Sequence, residues 1–435
     1  MAVSNGNSSN RGAFGQHYCK FLVSIWDQFV MDVATRDRIG LRSPEDWRRL
    51  GYGGIPGACR NTLTYKIHPL FHGLHSMYPR IAPVLRLASA ILESPASMAF
   101  LYTIIYGHRE RQDQLSNQFN GECTVLRPLR GPEAVIRDKV SRALDKYSEF
   151  HEFRISTPPL DDNWEGITHK SDIVCCITDD GRQGLGACTR IKTSYVTKLT
   201  QLHTEGGNKL EILNLQFRTA VTLVHELAHA INGAVDINLY PLMNEIELTG
   251  TASSKIYEPW YEDQRLAELG FAYENEVFGG MVHTLPNMRP DHPNSIDPSH
   301  PVFVQKWPGT VTNRHIKRRG SKQSMTLYLV SMHFIHNIQQ QNFWDYHSAY
   351  RDVSKLRIEK TIGVRIQTKE SDIDSTWDPE YSSEGMWPAD ENDLVYRDAL
   401  GGDEAEYSPA NTSMAATLNA TLRDLFERVN SPQQE

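Results

Sequence analysis

Two histidines and a glutamate fall within five consecutive residues of this chain, His225-Glu226-Leu227-Ala228-His229. On an α-helix, positions i, i+1 and i+4 project within one quadrant of about 100°. Two imidazoles one turn apart can then grip a single Zn²⁺, and the carboxylate between them reaches a water on the open side of the metal. That arrangement makes hydroxide at neutral pH. The metal lowers the pKa of its bound water, and Glu226 takes the proton and returns it to a leaving amine.

The neighbouring sequence says which elements position these groups. Phe217, Val221, Val224, Ala228 and Ile231 recur at helical spacing, with no Pro or Gly between Leu213 and Ile231. A helix here buries one face and presents His225 and His229 at its edge. Asn232-Gly233 supplies a stop signal. Upstream, Phe150–Ser156, Asp172–Thr178 and Thr189–Thr197 are β-rich runs, and Gly206-Gly207 turns the chain into the motif helix. Downstream, Ala267–Glu274 is helical in pattern and follows Glu258-Pro259-Trp260, where Pro259 suits a first helical turn.

His225-Glu226-Leu227-Ala228-His229 followed by Glu268-Leu269-Gly270-Phe271-Ala272 resembles the gluzincin metallopeptidases, in which a glutamate on a second helix completes a zinc site. The second stretch is similar to the E-G-F-A segment of the aminopeptidase branch. The resemblance implies that Glu268 is the third ligand. It also implies a zincin fold, in which an edge strand lines the cleft and a polypeptide substrate adds to it as a further strand. Ala267, Ala272, the long gap between Ala230 and Ala267 and the lack of a G-A-M-E-N-like segment depart from the aminopeptidase branch. The resemblance therefore carries the zinc site and not aminopeptidase specificity.

The residues themselves leave rivals. Glu274 lies six positions after Glu268, about 120° round a helix, so both cannot face one zinc without distortion. Glu258 and Glu262 sit near the start of the same expected helix, and His283, His292, His300 and His315 follow it. Asp263 and Asn275 are candidates to orient the imidazoles. Met325–Tyr346 has helical periodicity and carries Tyr328, His333 and His336, candidates to stabilise an oxyanion.

Composition fits a soluble enzyme. The 435 residues carry a net charge of −8 and are 40% hydrophobic, enough for a sizeable core in two or three domains. An isoelectric point near 6.1 argues against a nucleic-acid binder. The basic run Arg314–Lys322 reads as a solvated loop. Met1–Gln16 has no apolar core and reads as a disordered tail without a signal peptide. Ile81–Gly107 is interrupted by Arg86, Glu93 and Pro95, so it reads as a buried helical pair and not a membrane span. Six scattered cysteines, with Cys175 and Cys176 read as buried thiols, point to a reducing, cytoplasmic location.

The expected organisation is α+β. A tail (1–16) precedes a mainly helical region (17–148), a zincin-type domain (149–368) and an acidic, loosely ordered segment (369–435) ending in an amphipathic helix over Ala415–Val429. Residues 281–312 read as a long Pro-rich loop suited to a cleft lid. The expected activity is zinc-dependent hydrolysis of internal peptide bonds, with Zn²⁺ on His225, His229 and Glu268, Glu226 as base and acid, and a polypeptide as the partner. Two alternatives stand beside it: another zinc-dependent amide hydrolase, and a non-catalytic interaction protein that keeps the scaffold. A closed four-ligand site would favour the last.

Overall fold

A computed structural model describes residues 60–112, 121–157, 165–206, 209–235, 255–256, 258–262, 264, 267–284, 302–305, 323–330, 332–350, 356–358, 362–368, 386–388 and 394–396. Proline and serine set the first helices. A short helix α1 (His72–Met77) leads to α2 (Ala82–Leu92), which has a proline in its first turn. Ser94 caps α3 (Pro95–Tyr106), its hydroxyl accepting the Ser97 N–H. The two helices meet at 69°, as the interruption at Pro95 requires, and both are largely buried. No single described helix is long and apolar enough to cross a membrane.

Strands β1 (Arg109–Arg111), β2 (Gly121–Glu122) and β3 (Thr124–Leu126) precede α4 (Glu133–Tyr147). Three strands then form a small mixed sheet: β4 (His151–Ser156), β5 (Gly166–Cys175) and β6 (Gly184–Lys192). The order is β4-β6-β5, with β4 parallel and β5 antiparallel to β6, so β5 is an edge among the described residues. Lys192 ends the third run, and α5 (Thr193–Thr204) occupies residues expected to extend it. Thr193–Thr197 carry two β-branched threonines and a valine, but Tyr195, Val196 and Leu199 bury at helical spacing, and that packing outweighs strand propensity.

The motif helix α6 (Lys209–Ala234) follows, and the sheet lies against it. It ends within a residue of the expected stop at Asn232-Gly233; Asn232 is buried and accepts a bond of 2.7 Å from Arg109, and the stem of Lys170 covers Gly233. Burial also exceeds one face. Phe217, Val221, Val224, Ala228 and Ile231 are enclosed as expected, but so are Gln216 and Arg218, which pair with Asn61 and Glu165.

The chain continues through β7 (Lys255–Ile256) and β8 (Trp260–Tyr261) to α7 (Leu269–Phe278). Pro259 therefore leads into a strand paired in parallel with β3, and not into a helix. An antiparallel sheet follows, made of β9 (Met281–Thr284), β10 (Val302–Gln305), β11 (Gln323–Leu329), β12 (Ile362–Thr368), β13 (Met386–Pro388) and β14 (Leu394–Tyr396). Helices α8 (Met332–Asn337) and α9 (Gln341–Tyr350) interrupt it. Thus the start of 325–346 is strand, and the described residues of 281–312 are the paired strands β9 and β10, the rest of that expected loop lying outside the described residues. The basic run at 314–322 and the terminal helix at 415–429 lie outside the described residues, as does most of the acidic segment.

The class is α+β. One apolar core runs from Leu63 to Ile358, so α2 and α3 pack on the same helix that carries the motif. Of the two thiols expected to be buried, Cys175 is buried and Cys176 is exposed.

Candidate metal centre

His225 and His229 leave α6 one turn apart, on the side that the core does not close. Their side chains are 13% and 21% exposed, whereas Val224 and Ala228 beside them are sealed. Glu268 meets them. The His229 Nε2 atom lies 2.7 Å from Glu268 Oε1, the His225 Nε2 atom 3.4 Å from the same oxygen, and the two Nε2 atoms 3.4 Å apart. His225, His229 and Glu268 are the group among the described residues whose ligand atoms converge tightly enough to hold a metal.

Glu268 is not on the second helix, as expected, but immediately before it. Its backbone is extended and it caps α7, with Oε2 accepting the Phe271 N–H. A helix leaves its first N–H groups without internal partners, and a carboxylate at the cap satisfies them and the positive end of the helix dipole. The cap thus fixes one oxygen and turns the other toward the imidazoles.

The other two acids follow the same plan. Glu258 Oε2 accepts the Leu269 N–H at 3.0 Å, and its Oε1 lies 2.8 Å from His229 Nδ1. Glu274 Oε2 accepts the Val282 N–H, and its Oε1 lies 2.7 Å from His225 Nδ1. Each carboxylate is held by a backbone donor on one side and takes an imidazole on the other. With Nδ1–H given to a carboxylate, loss of the other proton would leave Nε2 bare and pointing at the cluster, the orientation of metal-bound histidines.

Glu274 therefore belongs to the outer edge of His225 and is not a rival of Glu268, and Glu258 does the corresponding work for His229. Neither Asn275, whose amide lies 3.5 Å from Glu276, nor Asp263, which is outside the described residues, is seen to orient an imidazole. Glu262 follows β8 at a positive φ of 54° and is not part of the converging group. His283 and Tyr328 lie on strands β9 and β11, His333 and His336 on α8, and His336 is buried. His292, His300 and His315 lie outside the described residues.

The electrostatics favour a cation. Burial alone would depress both imidazoles, yet Glu268 and Glu274 hold His225, and Glu258 and Glu268 hold His229, well above the usual histidine range. Burial would raise the Glu268 carboxyl, but the two imidazoles pull it far below the usual carboxylate range. Burial raises Glu274. Three carboxylates around two imidazoles are an excess of negative charge in a partly enclosed space, which a divalent ion would relieve. Ligand atoms about 2.0–2.1 Å from a tetrahedral zinc stand about 3.3 Å apart. Two of the three separations are 3.4 Å and the third, His229 Nε2 to Glu268 Oε1, is 2.7 Å, so the donor set fits zinc in type, and in spacing once that one contact opens.

Close packing completes the site. A Cβ on Gly270 would lie 2.3 Å from His225 Nε2, so only glycine lets the first turn of α7 rest on that ring. Phe271 then meets the same ring edge-on, centroids 4.8 Å apart. Glu226 is 6% exposed and lies against β5, where the Thr168 hydroxyl donates to its Oε2 at 2.8 Å. A Cβ on Gly166 would come within 2.6 Å of its Cγ. Sequence reasoning passed over Thr168 and Gly270. Gly270 stood inside the quoted Glu268–Ala272 stretch, but nothing local marks Thr168.

Compared with family models, with curated proteins and with solved structures, the chain matches none.

Proposed function

We propose that this protein is a zinc-dependent metallopeptidase of gluzincin type. The observation that carries the reading is the convergence of His225 Nε2, His229 Nε2 and Glu268 Oε1 beside Glu226, on a helix backed by an edge strand. Zinc bound there would supply a Lewis acid and a water acidic enough to ionise near neutral pH. Glu226 then takes the water's proton on a carboxylate oxygen and delivers it to the nitrogen of the breaking peptide bond. Thr168 donates to the Oε2 atom of Glu226, which makes Oε1 the more basic oxygen and the one to take that proton. Among the described residues β5 pairs with β6 alone, and its other edge offers backbone groups to an extended peptide. Glu258 and Glu274 keep the imidazoles in the tautomer that exposes Nε2.

The test compares wild type with Glu226→Gln. Both are measured for bound zinc and assayed against a broad peptide library. Both should hold zinc, and the variant should lose about 10²–10⁴-fold in hydrolysis. Zinc-loaded wild type that cleaves N-acyl amides and no peptide would move the reading to a non-peptide amide hydrolase. Full occupancy with no hydrolysis at all would overturn the enzyme reading, and metal-free protein from metal-replete medium would overturn zinc itself.

A further inference from the structure

Behind Glu226 the hydrogen bonds continue into the sheet. Thr168 Oγ1 lies 2.9 Å from Thr189 Oγ1, and Thr189 Oγ1 lies 3.0 Å from His151 Nε2. The two threonines face each other across β5 and β6 in register, and His151 opens the next strand, β4. Thr189 is fully buried and His151 nearly so. The ring of His151 stacks on Tyr147 at 5.4 Å and meets Phe153 edge-on at 4.3 Å.

Counting protons fixes the direction of this chain. A hydroxyl has one hydrogen to give. Thr168 gives its hydrogen to Glu226, whose Oε2 at 2.8 Å is nearer than the backbone carbonyl at 3.1 Å and carries charge. Thr189 must then give its hydrogen to Thr168, and His151 must give Nε2–H to Thr189. The remaining nitrogen of His151, Nδ1, is buried without a partner. In this arrangement that nitrogen is a bare acceptor, less costly than a stranded N–H donor. Burial pushes the imidazole down to about 3, so the ring is neutral and has a single N–H to place.

We infer that His151, Thr189 and Thr168 form a one-directional hydrogen-bond relay that locks the carboxylate of Glu226 in one orientation, leaving Oε1 as its working oxygen. The inference rests on Glu226 being the general base. Thr168 is then a positioning residue for that base, and His151 is the buried end that sets the polarity of the relay. A core that needed only filling would place apolar residues at 151, 168 and 189. Three polar groups in series, ending on the one acidic residue of the motif, are a costly alternative to that unless the orientation of Glu226 matters.

The experiment uses the full chain, first wild type, then Thr168→Val and Thr168→Ser, each assayed on a peptide that wild type is found to cleave. Thr168→Val should lower kcat by about 10–100-fold, the size typical of residues that orient a catalytic group. KM and bound zinc should stay as in wild type, and Thr168→Ser should recover most of the rate. An unchanged kcat in Thr168→Val, or a loss of zinc in parallel with activity, would overturn the positioning role. Nitrogen chemical shifts of His151 give a readout on wild type alone: Nε2 protonated and Nδ1 bare supports the relay, and the opposite tautomer overturns it. Should wild type cleave no peptide, the function reading fails by itself, and the tautomer still decides the relay.

Discussion

Helix α6 and the segment from Glu258 to Phe278 each supply half of the candidate metal centre, and they do so by opposite means. The helix contributes His225, Glu226 and His229 from consecutive turns of one regular element, buried nearly all round. The later segment contributes Glu258 from the stretch before β8, Glu268 from a helix cap and Glu274 from inside α7. Regular geometry sets the first half. In the second, three backbone N–H groups, of Leu269, Phe271 and Val282, set the direction of three carboxylates. A site assembled this way depends on the stiffness of the helix on one side and on the exact approach of a helix start on the other.

The approach of that helix start is the easiest place to break the site. Gly270→Ala puts a methyl 2.3 Å from His225 Nε2, so the ring or the start of α7 must shift. Overpacking of this kind costs about 1–3 kcal/mol in a core, and here the strain falls on a proposed ligand. Zinc affinity measured by competition with a chelator should fall by more than about 100-fold, beyond the usual loss for an outer partner. Wild-type affinity in Gly270→Ala would show that α7 is free to move and that the second half is less rigid than its bonds imply.

The two halves also differ in how much of them is legible from the chain. The motif helix, its buried positions and the edge placement of its histidines follow from periodicity alone. So do the helical pair around Pro95, α4 and the existence of strands before the motif. Glu268 was reachable only through the Glu268–Ala272 resemblance. Its position outside the helix was not reachable, because a cap is defined by φ and ψ and by which N–H points at the carboxylate. The 120° separation that set Glu268 against Glu274 presupposed one helix holding both residues. Once Glu268 sits at the cap, the two acids reach His225 from opposite edges of its ring. Asn232-Gly233 marked the end of the motif helix to within a residue, but the bond that Asn232 accepts from Arg109, 123 residues earlier, was not reachable from the chain. The register that sets Thr168 against Thr189 is likewise a tertiary fact.

A smaller effect separates the two outer acids. Glu274 has a 3% exposed side chain and Glu258 one that is 27% exposed. Glu274→Ala strands both the His225 Nδ1–H and the Val282 N–H in a closed space, and a buried donor without a partner costs about 1–3 kcal/mol. It should lower zinc affinity by about 10–100-fold and denaturant stability together. Glu258→Ala opens a side that is already part-exposed, where water can replace the carboxylate on His229 Nδ1, so zinc affinity should fall toward the lower end of that range and stability should fall less than in Glu274→Ala. Equal stability losses in the two variants would mean that Glu258 is as enclosed in solution as Glu274.

The smallest expected effect probes the regular half. Buried Tyr147 donates its hydroxyl to the Ala230 carbonyl at 3.0 Å, one residue beyond His229. Tyr147→Phe removes that bond and keeps the ring, so unfolding free energy should fall by about 1 kcal/mol. The position of α6 is set by many apolar contacts, with Leu223, Val224, Leu227 and Ile231 each sealed, and one lost hydrogen bond should not shift His229. Zinc affinity should therefore match wild type while the denaturation midpoint moves. If zinc affinity fell tenfold in Tyr147→Phe, the motif helix would be held by specific bonds much as the Glu258–Phe278 segment is, and the contrast between the two halves would be lost.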